Sequence, residues 1–77
     1  MKRDTKKHLN SYLILGENIR KIRNDKNISQ EDLAFSISTA RNYIGCIERA
    51  EKHPSLAIVL DIAQALDCKI EDLVKGM

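Results

Sequence analysis

Ser29-Gln30-Glu31-Asp32-Leu33-Ala34-Phe35-Ser36-Ile37-Ser38-Thr39-Ala40-Arg41-Asn42-Tyr43-Ile44-Gly45-Cys46-Ile47-Glu48-Arg49 is the stretch on which the fold turns. Ser29 has a hydroxyl that can accept from the free backbone donors of a helix start, and Glu31 and Asp32 suit its positive end. Leu33, Ala34 and Ile37 are the expected buried positions, and this helix ends near Ser38-Thr39. The next begins at about Ala40 or Arg41 and reaches Arg49, with Ile44 and Ile47 facing inward and Tyr43 flanking them. Small Ala34 allows the two helices to cross closely. Two short helices, a tight turn and a small residue at the crossing predict a helix-turn-helix.

This arrangement turns Arg41, Asn42, Gly45, Cys46 and Arg49 away from the core. Arginine and asparagine side by side at an exposed helix start carry the donors that read base edges, arginine on guanine and asparagine on adenine. The expectation is a helix of roughly residues 40–49 lying in the major groove of double-stranded DNA.

The flanking chain adds three more helices. Leu15, Ile19 and Ile22 line one stripe of a first helix that starts at Leu9 or Ser11 and runs to Lys26. Asn27 follows, the best non-glycine residue for a left-handed cap. After the polar loop Ala50–Pro54, Ser55 is the expected cap of a fourth helix through Leu66. Leu56, Val59, Leu60, Ile62, Ala63 and Leu66 make it the most apolar segment. Asp67-Cys68-Lys69 turns the chain into a last short helix over about residues 70–75, presenting Ile70, Leu73 and Val74. The prediction is an all-α, compact five-helix domain over residues 9–77.

Composition narrows the function classes. The chain has 77 residues, 31% charged, with one proline and no tryptophan. That suits one small helical domain with no room for an enclosed cofactor, and none is expected. No apolar run approaches the length of a membrane span, and no secretory leader is visible. Cys46 and Cys68 form neither a disulfide framework nor a metal-ligand set, which points to a reducing cytoplasm. Cys46 lacks a second ligand nearby and reads as a small groove-facing residue rather than a sensor; Cys68 reads as core filling. His8 and His53 lack catalytic partners, so no enzyme is expected. Lys2, Arg3, Lys6 and Lys7 against Asp4 give residues 1–8 a local charge of +3 out of a net +2, leaving the body near neutral. Residues 1–8 are expected to be a basic, flexible arm, with a solvated terminus favoured over one that touches DNA.

The sequence resembles the phage-repressor-like helix-turn-helix regulators, the Cro or xenobiotic-response-element type, over Leu15 to Val74. The matching strings, in order and at family spacing, are Leu15–Arg23, Ile28–Ala34, Arg41–Ile44, Ile47–Arg49, Pro54–Leu56 and Ile62–Leu66. The resemblance implies five helices, homodimers and roughly two-fold operators. Carried over residue by residue, Arg41, Asn42 and Cys46 match positions that face bases. Gln30 matches a position that grips a phosphate, Tyr43 one that leans on the backbone, and Ser29, Lys52 and His53 sit where phosphates are often met. Arg23 and Glu48 match a structural ion pair beneath the DNA face. The chain departs from the family at Ser38 and Ala50, where glycine is usual, at Thr39, where the turn is usually apolar, and at Ala40, which replaces a Ser or Thr cap at about 1 kcal/mol. Gly45 inside the recognition helix costs up to about 1 kcal/mol against alanine.

Leu60, Ile70, Leu73, Val74 and Met77 exceed what the N-terminal helices can cover and are expected to form a homodimer interface. The near-neutral body keeps open an alternative, a protein-interaction or antitoxin-like module that uses the helix-turn-helix as a scaffold for an unknown partner.

Overall fold

The computed structural model describes residues 7–77. It contains five helices: α1 (Leu9–Asp25), α2 (Gln30–Ser36), α3 (Arg41–Glu48), α4 (Leu56–Ala65) and α5 (Ile70–Val74), with no strand among the described residues. The all-α, five-helix prediction agrees with this order. Most of the expected basic arm, residues 1–6, lies outside the described residues; Lys7 and His8 lead directly into α1.

Caps explain the boundaries. Ser29 Oγ accepts from Asp32 N at 2.9 Å and opens α2, and Ser55 Oγ accepts from Ile58 N at 3.2 Å and opens α4. Asp72 Oδ2 accepts from Lys69 N at 3.1 Å at the start of α5. The ends of α1 to α4 share one device. Asn27, Ser38, Ala50 and Asp67 each take a left-handed conformation, with φ between 51° and 61°. The following N–H then reaches back over the last turn: Ile28 N to Arg23 O, Thr39 N to Ala34 O, Glu51 N to Cys46 O and Cys68 N to Ala63 O, all at 2.8–3.0 Å. This is the Schellman closure, which consumes carbonyls the helix leaves unpaired. Here it is built four times without glycine.

The core comprises Leu15 and Ile19 of α1, Leu33 and Ala34 of α2, Ile44 and Ile47 of α3, Val59, Ile62 and Ala63 of α4, Leu66, and Leu73 of α5. Burying each of the large aliphatics stabilises the fold by roughly 1.5–3 kcal/mol. Gly16 sets the crossing of α1 over α3. A Cβ there would stand 2.5 Å from Glu48 O and 2.6 Å from Ile47 O, so only glycine permits this approach of the two backbones. Two residues further along α1, Asn18 Nδ2 donates to Leu73 O and Lys75 O at 2.8 and 2.9 Å, tying α1 to the end of α5. Lys26 Nζ donates to Leu66 O and Asp67 O and closes the end of α4.

Two expectations require correction. Leu73, expected at a dimer interface, is 0% exposed within a single chain and belongs to the core. On a helix as short as α5, Ile70, Leu73 and Val74 share one face, and Leu73 is the one that points straight onto α1 and α4 neighbours. Gly45, expected to face away from the core, is buried under the side chains of Arg49 and Gln30.

Candidate nucleic-acid interface

The sequence of α3 places polar and apolar residues on opposite sides of the helix. Ile44 and Ile47 are buried against α1 and α2, which leaves Arg41 and Asn42 exposed at the first turn, with Tyr43 and Cys46 half-buried beside them. Ala40 adopts the extended conformation of a cap, but its side chain offers no acceptor. The backbone N–H groups at this helix start therefore face outward without side-chain competition, a polarity that suits an anion.

Beneath this face lies a connected polar chain. Arg23 Nε donates to Glu48 Oε2 at 2.8 Å and Arg23 Nη2 to Glu48 Oε1 at 3.1 Å, a bidentate pair with side chains only 10% and 3% exposed. Arg23 Nη1 also donates to Ile28 O at 2.9 Å, pinning the turn between α1 and α2. Gln30 Nε2 donates to Glu48 Oε1 at 3.0 Å. One carboxylate thus fixes the orientation of α3 against α1 and holds Gln30 at the start of α2. The expected pairing of Arg23 with Glu48 is present, and its extension to Gln30 was not anticipated.

The remaining expected positions are reached by the turns. Ser29 is exposed, with its hydroxyl oxygen already accepting the cap bond. Lys52 and His53 are exposed on the loop after α3. The His53 ring stacks on Tyr12 of α1 with centroids 3.8 Å apart and planes 2° from parallel, which fastens that loop to α1. Tyr12 carried no signal in the sequence, because its partner is 41 positions away. A second unanticipated pair closes the end of α3. Arg49 Nε donates to Glu51 Oε2 at 3.0 Å and Arg49 Nη2 to Glu51 Oε1 at 3.1 Å. Bonding from Arg49 holds the Glu51 carboxyl below the usual range, and Glu51 in turn raises Arg49.

A two-helix unit braced by a buried ion pair, with arginine and asparagine exposed at the start of its second helix, defines a helix-turn-helix domain built for duplex DNA. The chain belongs to the helix-turn-helix family, whose pattern matches residues 19–73, and is a DNA-binding transcriptional regulator. It is 41% identical over 61 residues to control protein C.SmaI of Serratia marcescens, covering 79% of this chain and 73% of that protein. It is also 41% identical over 66 residues to control protein C.BamHI of Bacillus amyloliquefaciens, covering 84% and 82%. The fold is similar to the restriction-modification controller protein C.AhdI of Aeromonas hydrophila, with TM-score 0.78, 37% identity, and 80% of this chain and 94% of that one covered. It is likewise similar to the P22 c2 repressor in complex with a synthetic operator, with TM-score 0.75, 31% identity and coverage of 83% and 97%. Among the described residues no helix is long and apolar enough to cross a membrane.

Proposed function

We propose that this regulator acts in the cytoplasm as a homodimeric controller or repressor that reads a roughly two-fold operator, with α3 in the major groove. The carrying observation is the pair Arg41 and Asn42, exposed at the start of a helix whose opposite face is locked by Ile44, Ile47 and the Arg23–Glu48–Gln30 chain. Arg41 makes a paired hydrogen bond to a guanine, Asn42 meets an adjacent base or phosphate, and Cys46 lies against base edges. Ser29, Gln30, Tyr43, Lys52 and His53 meet the sugar-phosphate backbone. The likeness to the restriction-modification controller protein C.AhdI favours an operator that controls restriction-modification genes.

The dimer face is drawn from the exposed aliphatics of the C-terminal half. Leu56 and Leu60 share one side of α4, and Val74 and Met77 are exposed at the end of the chain with Ile70 half-covered beside them. Leu56 joins the expected set and Leu73 leaves it. Two-fold symmetry then sets the recognition helices about 34 Å apart, one turn of DNA.

Selection of bound sites from a random duplex pool tests this reading, followed by titration of variants on the recovered operator and a scrambled duplex. Arg41→Ala weakens operator binding by about 1–3 kcal/mol and relaxes one operator position. Lys52→Ala weakens both duplexes alike and lowers the salt slope by about one unit. Equal losses on both duplexes for Arg41→Ala, or a monomer by sedimentation on operator DNA, count against the proposal.

A further inference from the structure

The end of α3 holds a guanidinium in an unusual seat. Arg49 folds back over the helix, and a methyl group at Gly45 would stand 3.0 Å from Arg49 Nη1, with Gln30 Oε1 and Nε2 at 3.6 and 3.7 Å from the same point. Glycine at this position, otherwise unfavourable inside a helix, leaves the space the guanidinium occupies. Arg49 Nη2 also lies 3.8 Å from Cys46 Sγ.

The fork of Arg49 is divided. Its Nε/Nη2 edge is taken by both oxygens of Glu51. Nη2 also donates to Cys46 Sγ, so Nη1 is the nitrogen left for a second partner, and a guanidinium N–H suits a phosphate oxygen. That nitrogen lies over Gly45 and beside the amide of Gln30. Arg49 and Glu51 are both more than half exposed, so burial does not force them together. Side by side they carry no net charge, so an isolated pair on a surface has little to contribute to stability.

We propose that Glu51 is a positioning residue for DNA recognition: it holds Arg49 in the seat over Gly45, so that the guanidinium meets one backbone phosphate next to Gln30 only when α3 is docked in register. This rests on the reading of α3 as the recognition helix. An unpaired arginine at this place reaches any nearby phosphate and adds affinity for every sequence. A paired one is oriented and neutralised. It contributes only in the docked geometry, so a phosphate contact that carries no base information still favours the operator.

The test is a titration of the full chain against the pool-selected operator duplex and a scrambled duplex of equal length, with circular dichroism melts for every variant. Arg49→Ala lowers operator affinity on the order of tenfold, with a smaller loss on scrambled DNA. Glu51→Gln raises scrambled affinity and narrows the operator-to-scrambled ratio several-fold, on the order of one lost oriented contact. In the Arg49→Ala background, Glu51→Gln strengthens both duplexes alike and leaves the ratio unchanged. Gly45→Ala keeps or raises the melting temperature, since alanine is the better helix former, yet shifts the tip of Arg49 and weakens operator binding by less than Arg49→Ala does. The same ratio change for Glu51→Gln in both backgrounds overturns the proposal, as does full operator affinity for Gly45→Ala. Arg41→Ala is measured alongside. A ratio that falls with Arg41→Ala and not with Glu51→Gln overturns the positioning role alone; a ratio indifferent to both overturns the seating of α3 as well.

Discussion

Replacing Glu48 with alanine removes three hydrogen bonds at once. The carboxylate accepts from Arg23 Nε at 2.8 Å, Arg23 Nη2 at 3.1 Å and Gln30 Nε2 at 3.0 Å. Of these partners Arg23 cannot escape to water, because its side chain is 10% exposed and its Nη1 stays tied to Ile28 O. Stranding one member of a buried pair costs about 3–5 kcal/mol. Against a total of roughly 4–12 kcal/mol for a chain of this length, Glu48→Ala is expected to be near the edge of folding. Each kilocalorie lowers the melting temperature of so small a domain by about 4–8 °C, so the drop exceeds about 12 °C. Glu48→Gln keeps the volume and one acceptor, and its loss is about half as large. Arg23→Met combined with Glu48→Leu, which removes both charges, recovers most of the stability. Thermal and urea unfolding followed by circular dichroism measures all three, with an unchanged denaturant slope as the check on comparability. A loss below about 1 kcal/mol for Glu48→Ala, or a double variant no more stable than Glu48→Ala, refutes the reasoning.

Three further outcomes are expected. Gly16→Ala drives a methyl group into the carbonyls of Ile47 and Glu48, and the forced separation of α1 from α3 costs about 3 kcal/mol by denaturant unfolding. Ala50→Gly relieves a left-handed alanine at φ 61° and raises stability by about 0.5–1 kcal/mol in the same assay; a lower melting temperature would show that the buried methyl group outweighs the strain. Burial, followed by the nearby Asp72 carboxylate, pushes the Cys68 thiol up, so at pH 8 it is alkylated more slowly in the folded chain than in urea, as read by mass spectrometry; equal rates contradict this.

Much of the architecture was legible because the punctuation is local. Ser29 and Ser55 cap the helices they were expected to open, and Asn27 supplies the left-handed turn its type favours. Arg41 and Asn42 could be placed outward because Ile44 and Ile47 fix the opposite face within one helical turn. The misreadings occurred where neighbouring candidates share a stripe or where the partner is remote. Ile70, Leu73 and Val74 are equivalent by spacing, and only the packing of α5 against α1 and α4 sends Leu73 inward. Gly45 has no side chain to announce a direction, and its burial comes from Arg49 and Gln30 lying over it. Phe35, 85% exposed on α2, lies off the stripe of Leu33, Ala34 and Ile37 that was expected to be buried. The Tyr12–His53 stack and the Gln30–Glu48 bond join segments that only the folded chain brings together.

The backbone contact at Gly16 gives α1 a mechanical role. At its middle, Gly16 rests directly on the carbonyls that finish α3, and two residues on Asn18 grips the carbonyls that finish α5. No long, yielding side chains intervene at either joint, so the middle of α1 works as a clamp that keeps the ends of α3 and α5 from drifting independently. In a two-fold assembly through the C-terminal half, the distance and twist between the two recognition helices are then set by rigid parts rather than by a hinge. One extra base pair between half-sites shifts the second by about 3.4 Å and turns it by about 34°, an offset such a clamp does not follow. In the proposed dimer the spacing of the operator is thereby read by the stiffness of the protein, alongside the bases read by α3.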